Sequence, residues 1–147
     1  MSQTSAQLIS SGIVAPATLS TGAPGWDSSG NLSFNSGYGS STVAYGCRAW
    51  VNFNGSTATP STIRGSGNVS SVTKNGSGDY TVNFTTALAD ANYAITGAAG
   101  QNTTSLRVVC PNYNLAAPTT SAVRIQVPLG DGATLADSTL VCIAVFR

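Results

Sequence analysis

The 147-residue chain contains no histidine and no glutamate, and its only lysine is Lys74. The first two absences remove the commonest general bases and most ligand sets that hold zinc. Charged residues make up 7% of the chain, against roughly 25% in an average soluble domain. A net charge of +1 with one lysine cannot build the phosphate-neutralising patch on which nucleic-acid affinity depends. No run approaches the roughly 20 consecutive apolar residues of a membrane span. The start, Met1-Ser2-Gln3-Thr4-Ser5, shows neither a positive n-region nor an apolar h-region. No cleavable secretory signal is therefore visible, and the expectation is a chain made and kept in a cytoplasm until assembly. Cys47, Cys110 and Cys142 are an odd number at wide spacing inside apolar runs. They read as small buried hydrophobes with free thiols, not as a disulfide framework or a metal site.

What is present is an uncharged, hydroxyl- and amide-rich chain. Serine, threonine, asparagine and glycine together approach half of it, beside 41% hydrophobic residues. Its size corresponds to one domain. Residues 1–41 read as a short helix, Ser5 capping residues 6–9 before Gly12, followed by a Gly/Ser-rich extended leader. Within the leader, residues 27–31 have turn chemistry, and Leu32-Ser33-Phe34 reads as the second arm of a small hairpin.

From residue 42 to 147 the period is two. Residues 42–54 predict one long strand with Val43, Tyr45, Cys47, Ala49, Val51 and Phe53 on one face and Arg48 and Trp50 on the other. Residues 69–73 and 80–84 flank a glycine-rich turn, a hairpin signal. Further strands are expected at 93–98, 106–110, 122–127 and 140–146. Turn residues in every gap make the expected fold all-β, an antiparallel β-sandwich-like single domain. The strand at 140–146 is apolar on both faces, which predicts a central place in a sheet or a seat against another subunit.

Candidate chemistry is sparse. Asp27, Asp79, Asp90, Asp131 and Asp137 all stand in turn-like contexts, where a carboxylate bonds nearby backbone amides, and no pair has the spacing of a glycosidase site. Without histidine, neither serine nor cysteine has a partner to activate it, so no enzyme, cofactor or metal site is expected. The loop at 27–31 lacks the repeated acidic ligands of a calcium loop. Six Asn-X-Ser/Thr triplets, at Asn31, Asn54, Asn68, Asn75, Asn83 and Asn102, follow from the composition. Arg48 and Trp50, two apart on one strand face, could stack. Few other charges surround such a face, so the expectation is a buried or intersubunit stack.

Residues 19–31, Leu-Ser-Thr-Gly-Ala-Pro-Gly-Trp-Asp-Ser-Ser-Gly-Asn, resemble a segment that recurs in bacteriophage tail-fibre and related virion proteins. The stretches 44–55, 63–72 and 78–84 resemble the C-terminal fibre-tip module of such fibres, and Val141-Cys142-Ile143-Ala144-Val145-Phe146-Arg147 resembles its ending. The resemblance implies a non-enzymatic, homotrimeric virion component, on the tail or particle surface, assembled in the host cytoplasm, whose tip contacts a host surface glycan or protein. Arg48, Trp50, Ile143, Val145 and Phe146 are the candidate intersubunit residues, and the family supplies no receptor-contact residues. Only some 40 residues precede the module, which leaves open a capsid decoration or head-fibre protein. A free carbohydrate-binding module, with Trp26, Tyr38 or Tyr113 stacking on sugar rings, is the other alternative.

Overall fold

The computed structural model describes residues 25–26, 30–34, 42–100 and 106–147; the helix expected at 5–11 lies outside them. The described residues are all-β and divide into two compact units, Met1–Tyr45 and Gly46–Arg147. The first holds a three-stranded antiparallel sheet of β1 (Gly25–Trp26), β2 (Leu32–Phe34) and β3 (Thr42–Val43), in that order. The expected hairpin pairs Trp26 with Leu32, and Gly30, at φ +78°, supplies the left-handed turn position that glycine takes without strain.

The second unit is an antiparallel β-sandwich. One sheet runs β5 (Thr62–Gly67), β4 (Cys47–Asn54), β11 (Val141–Phe146), β8 (Ala94–Ala99). The other runs β6 (Val69–Gly76), β7 (Asp79–Phe84), β10 (Ala122–Gln126), β9 (Cys110–Pro111). Alternation decides which side chains meet between the sheets. Ala49, Val51 and Phe53 of β4 and Val141, Ile143 and Val145 of β11 face Val72 of β6, Tyr80 and Val82 of β7, and Val123 and Ile125 of β10, all buried. Phe53 and Tyr80 join the two halves edge to face, ring centroids 5.1 Å apart. Such a pair contributes about 0.5–1.5 kcal/mol beyond its area.

The two-sided apolar strand is indeed central, paired with β4 on one side and β8 on the other. Other expectations need correction. The single strand at 42–54 is two, since residues 44–46 interrupt it between β3 and β4. Cys47 does not share the face of Ala49. Phe146 pairs with Cys47 while Val145 pairs with Ala49, so Arg48 is an extra residue in a bulge and the alternation slips there. Cys47 is exposed as a result, while Cys110 and Cys142 are half-buried; all three are free thiols. The strand expected at 106–110 is reduced to β9 and an isolated bridge between Arg107 and Leu129.

A cluster of partly buried polar groups lies where the β6–β7 hairpin meets the segment before β11. The Tyr80 hydroxyl lies 2.9 Å from both the Gly55 carbonyl and the Asp137 carboxylate. Asp137 also accepts the Gly78 amide at 2.9 Å and Lys74 Nζ at 2.6 Å. On β7, Asp79 takes a two-pronged pair of 2.8 Å bonds from Arg124 of β10. These two carboxylates therefore bond groups far away in sequence, Asp79 to the neighbouring strand β10 and Asp137 to the β6–β7 hairpin, a correction to the turn reading, which holds for Asp90, bonded to the Asn92 amide, and for Asp131, bonded to Ala133 and Thr134.

The pH dependence follows. The Arg124 guanidinium holds Asp79 below the usual carboxylate range, against the opposing effect of burial. Burial pushes Asp137 upward, but Lys74, the Gly78 amide and Tyr80 outweigh it and leave it lowered. A lowered carboxylate contributes stability that is complete above its unfolded pKa and lost as pH falls through the native one. Burial raises Tyr80, aided by Asp137, and raises Tyr93 to about 12. A raised phenol stabilises fully below its unfolded value and loses that contribution as pH rises past it. Without histidine or glutamate, stability should be flat from about pH 5 to pH 8, falling below about pH 4 and above about pH 10. Urea unfolding across pH checks this, and Asp79→Asn should shallow the acid limb.

Candidate interaction face

The outer face of the β5-β4-β11-β8 sheet carries the sequence-predicted residues, in an altered set. Trp50 is 46% exposed on it, and Phe146 and Arg48 are exposed at the β11 end. Ile143 and Val145 are not intersubunit residues: they are 3% and 0% exposed and pack in the core. A strand apolar on both sides does not say in its sequence which side faces in. Here the bulky branched row is inside, and Cys142 and Ala144 are the outward row.

Trp50 does not stand over Arg48. Its indole spreads across β5, whose Gly67 it pairs with directly and whose Gly65 lies diagonally beyond. A methyl group on Gly67 would sit 2.5 Å from the indole Nε1, and one on Gly65 would sit 3.3 Å from Cη2. Two glycines thus form a bed on which the ring lies flat. Since the indole leans toward β5, the strip over β11 and β8 stays open. It forms a shallow groove of about 590 Å³ with Ala144, Cys142, Gly97 and Ala98 among its lining residues, Trp50 at one side and Asn52 and Thr96 at its margins. At the Asn52 end, Arg64 donates from Nη1 to Asn52 Oδ1 at 3.3 Å and from Nη2 to the Thr139 carbonyl at 2.6 Å. The side chain therefore reaches from β5 across β4 to the start of β11.

Arg64, Gly65 and Gly67 could not be found from the sequence by alternation, because Thr62-Ile63-Arg64-Gly65-Ser66-Gly67 has one large apolar residue. The readable signal is the Gly-Ser-Gly opposite a tryptophan, and it becomes visible only once β4 and β5 are paired.

A second exposed apolar group stands along the β9 border: Leu106, Val108, Tyr113 and Leu115 are 65%, 47%, 66% and 62% exposed. Of the aromatic residues considered for sugar stacking, Trp26 is 69% exposed, and Tyr38 lies outside the described residues. Several of the Asn-X-Ser/Thr amides are engaged internally, Asn54 by accepting the Ser56 amide. Asn68 donates to the Arg48 and Thr86 carbonyls, Asn83 to Ser71 and Thr73, and Asn75 to Asp79 and Thr81. Among the described residues no group of three or more His, Cys, Asp or Glu could hold a metal ion.

These features define an all-β sandwich whose sparsely charged exterior carries exposed apolar side chains. No family model matches the chain, and no curated protein or solved structure is significantly similar to it.

Proposed function

We propose that the chain is a non-enzymatic bacteriophage structural protein, a tail-fibre or fibre-tip component of the virion surface that assembles as a homotrimer and contacts the host surface. The observation that carries this reading is the surface. Among the described residues eleven large apolar side chains are exposed, on a chain with eleven charged residues, six of which are consumed in the pairs Lys74–Asp137, Arg124–Asp79 and Arg147–Asp90. A free monomer seldom leaves so much apolar surface so little protected by charge, whereas a subunit of an assembly does. The resemblance of residues 19–31, 44–55, 63–72, 78–84 and 141–147 to phage fibres supplies the class of assembly and its three-fold symmetry. Labelling of purified particles with an antibody to the chain tests it: decoration of tail tips is expected, decoration of the head shell would favour a capsid decoration protein, and unlabelled particles would end the reading.

With Ile143 and Val145 in the core, the proposed subunit contact is assigned to the exposed apolar residues flanking β9, Leu106, Val108, Tyr113 and Leu115. The double substitution Leu106→Ser and Val108→Ser removes two side chains worth about 1.5–3 kcal/mol each when fully buried. Sedimentation velocity at micromolar concentration should show a trimer for the wild type and folded monomer for the variant. A wild-type monomer would remove the oligomer, and a dimer its number.

A further inference from the structure

We infer that the groove beside Trp50 is a binding site for an acidic saccharide, one sugar ring lying against the open face of the indole and its carboxylate meeting Arg64. The inference takes up the host-contact arm of the proposed function and gives it a place and a ligand class. Three observations carry it. The indole is held flat by Gly65 and Gly67 on one side and is 46% exposed, so a rigid aromatic plate is presented without the ordering cost of a mobile side chain. The negative ring face attracts the polarised C–H groups of a pyranose, which is apolar across its flat side. Beside the plate the lining is small, with Gly97, Ala98, Cys142 and Ala144, and its margins carry the amide of Asn52 and the hydroxyl of Thr96. That is a shallow trough rather than a hole shaped for one side chain.

Charge then selects the ligand. Arg64 is fixed at the Asn52 end by two neutral acceptors, Asn52 Oδ1 and the Thr139 carbonyl, and no carboxylate lines the groove among the described residues. A guanidinium has five N–H donors, so two engaged nitrogens still leave donors for an anion. The described side chains of a second copy are poorly equipped to provide it. Of the four described aspartates, Asp79, Asp90 and Asp137 are in ion pairs, and Asp131 is folded onto Ala133 and Thr134 of its own turn. A uronic or sialic acid brings both the flat ring and the free carboxylate.

The chain has two tryptophans, so Trp26→Phe leaves Trp50 as the sole indole reporter. In that background the 147-residue chain is titrated with a panel of uronic-acid and sialic-acid oligosaccharides and with their methyl esters, which lack the carboxylate charge. Saturable change of Trp50 emission is expected for at least one acid, with affinity about tenfold weaker for its ester. Arg64→Gln should abolish the preference for acid over ester while ester binding persists. Trp50→Ala, outside the core, should lower the unfolding temperature while leaving unfolding cooperative, and should remove binding to both, read by calorimetry. No response to any panel member at about 10 mM sugar would overturn the inference, as would binding indifferent to both substitutions. So would Trp50 emission that follows protein concentration instead of sugar, with the Cys47 and Cys142 thiols becoming protected as the chain associates, since the face would then belong to a second copy. Because the titration uses isolated protein, its failure leaves the location on the particle standing, and particles without the chain would leave a sugar response intact.

Discussion

Gly78→Ala is expected to cost about 4 kcal/mol or more, or to prevent folding, in a protein whose whole stability lies in the range of roughly 5–15 kcal/mol. Gly78 turns the β6–β7 hairpin at φ +62°, where an L side chain costs about 1–2 kcal/mol. That strain is the smaller part. An added methyl would lie 2.6 Å from the Ala136 nitrogen, 2.9 Å from its carbonyl oxygen and 3.0 Å from the Val127 oxygen. All three are backbone atoms and cannot rotate away. The hairpin would have to withdraw from residues 127–136, breaking the 2.7 Å bond from the Val127 amide to the Gly78 carbonyl and the bond from the Gly78 amide to Asp137. Gly132→Ala is the control, since Gly132 has a similar φ of +73° but nothing within 4 Å of the added methyl. It should lose only about 1–2 kcal/mol. Urea denaturation of both variants separates strain from collision, and equal losses would contradict the account.

Phe53→Ala should lose about 3–5 kcal/mol through cavity formation. Phe53 is fully buried on β4 and meets Tyr80 edge to face across the sandwich. The same Tyr80 ends in the bonds to Gly55 and Asp137, so a ring that settles into the cavity also loosens that polar cluster. Phe53→Leu keeps most of the volume and should cost clearly less. Midpoint and slope of urea unfolding check this: the midpoint should fall with the slope unchanged, as for an intact two-state fold. A loss below about 1 kcal/mol would show that the sheets do not pack here as described.

The sandwich was legible where one face is buried and the other wet. β7, β10 and β11 each set branched or aromatic residues at every second position, and their expected and observed limits differ by a residue or so. β5 was hidden because its work is done by glycines under an indole, and absent side chains leave no period to read. The bulge at Arg48 hid the exposure of Cys47, since alternation counts residues and a bulge adds one without changing the pattern on either side. For β11 the strand and its central place were readable but not its inward face. Cysteine and alanine are apolar enough to pass for core, and the larger volumes of Val141, Ile143 and Val145 were the discriminating signal. The interaction face was thus half visible: Trp50, Arg48 and Phe146 could be named from the sequence, whereas Arg64 arrives from a strand whose pairing has to be known first.

Deleting residues 141–147 is not an informative assembly test. β11 is paired on both sides and supplies three core residues, so its loss unfolds the domain whether or not subunits meet there.

Quantitative mass spectrometry of purified particles tests the central claim most directly, by measuring how many copies of the chain each virion carries. The account predicts a protein retained through particle purification at a copy number divisible by three. A chain absent from purified particles, and recovered only free in the lysate, would contradict it.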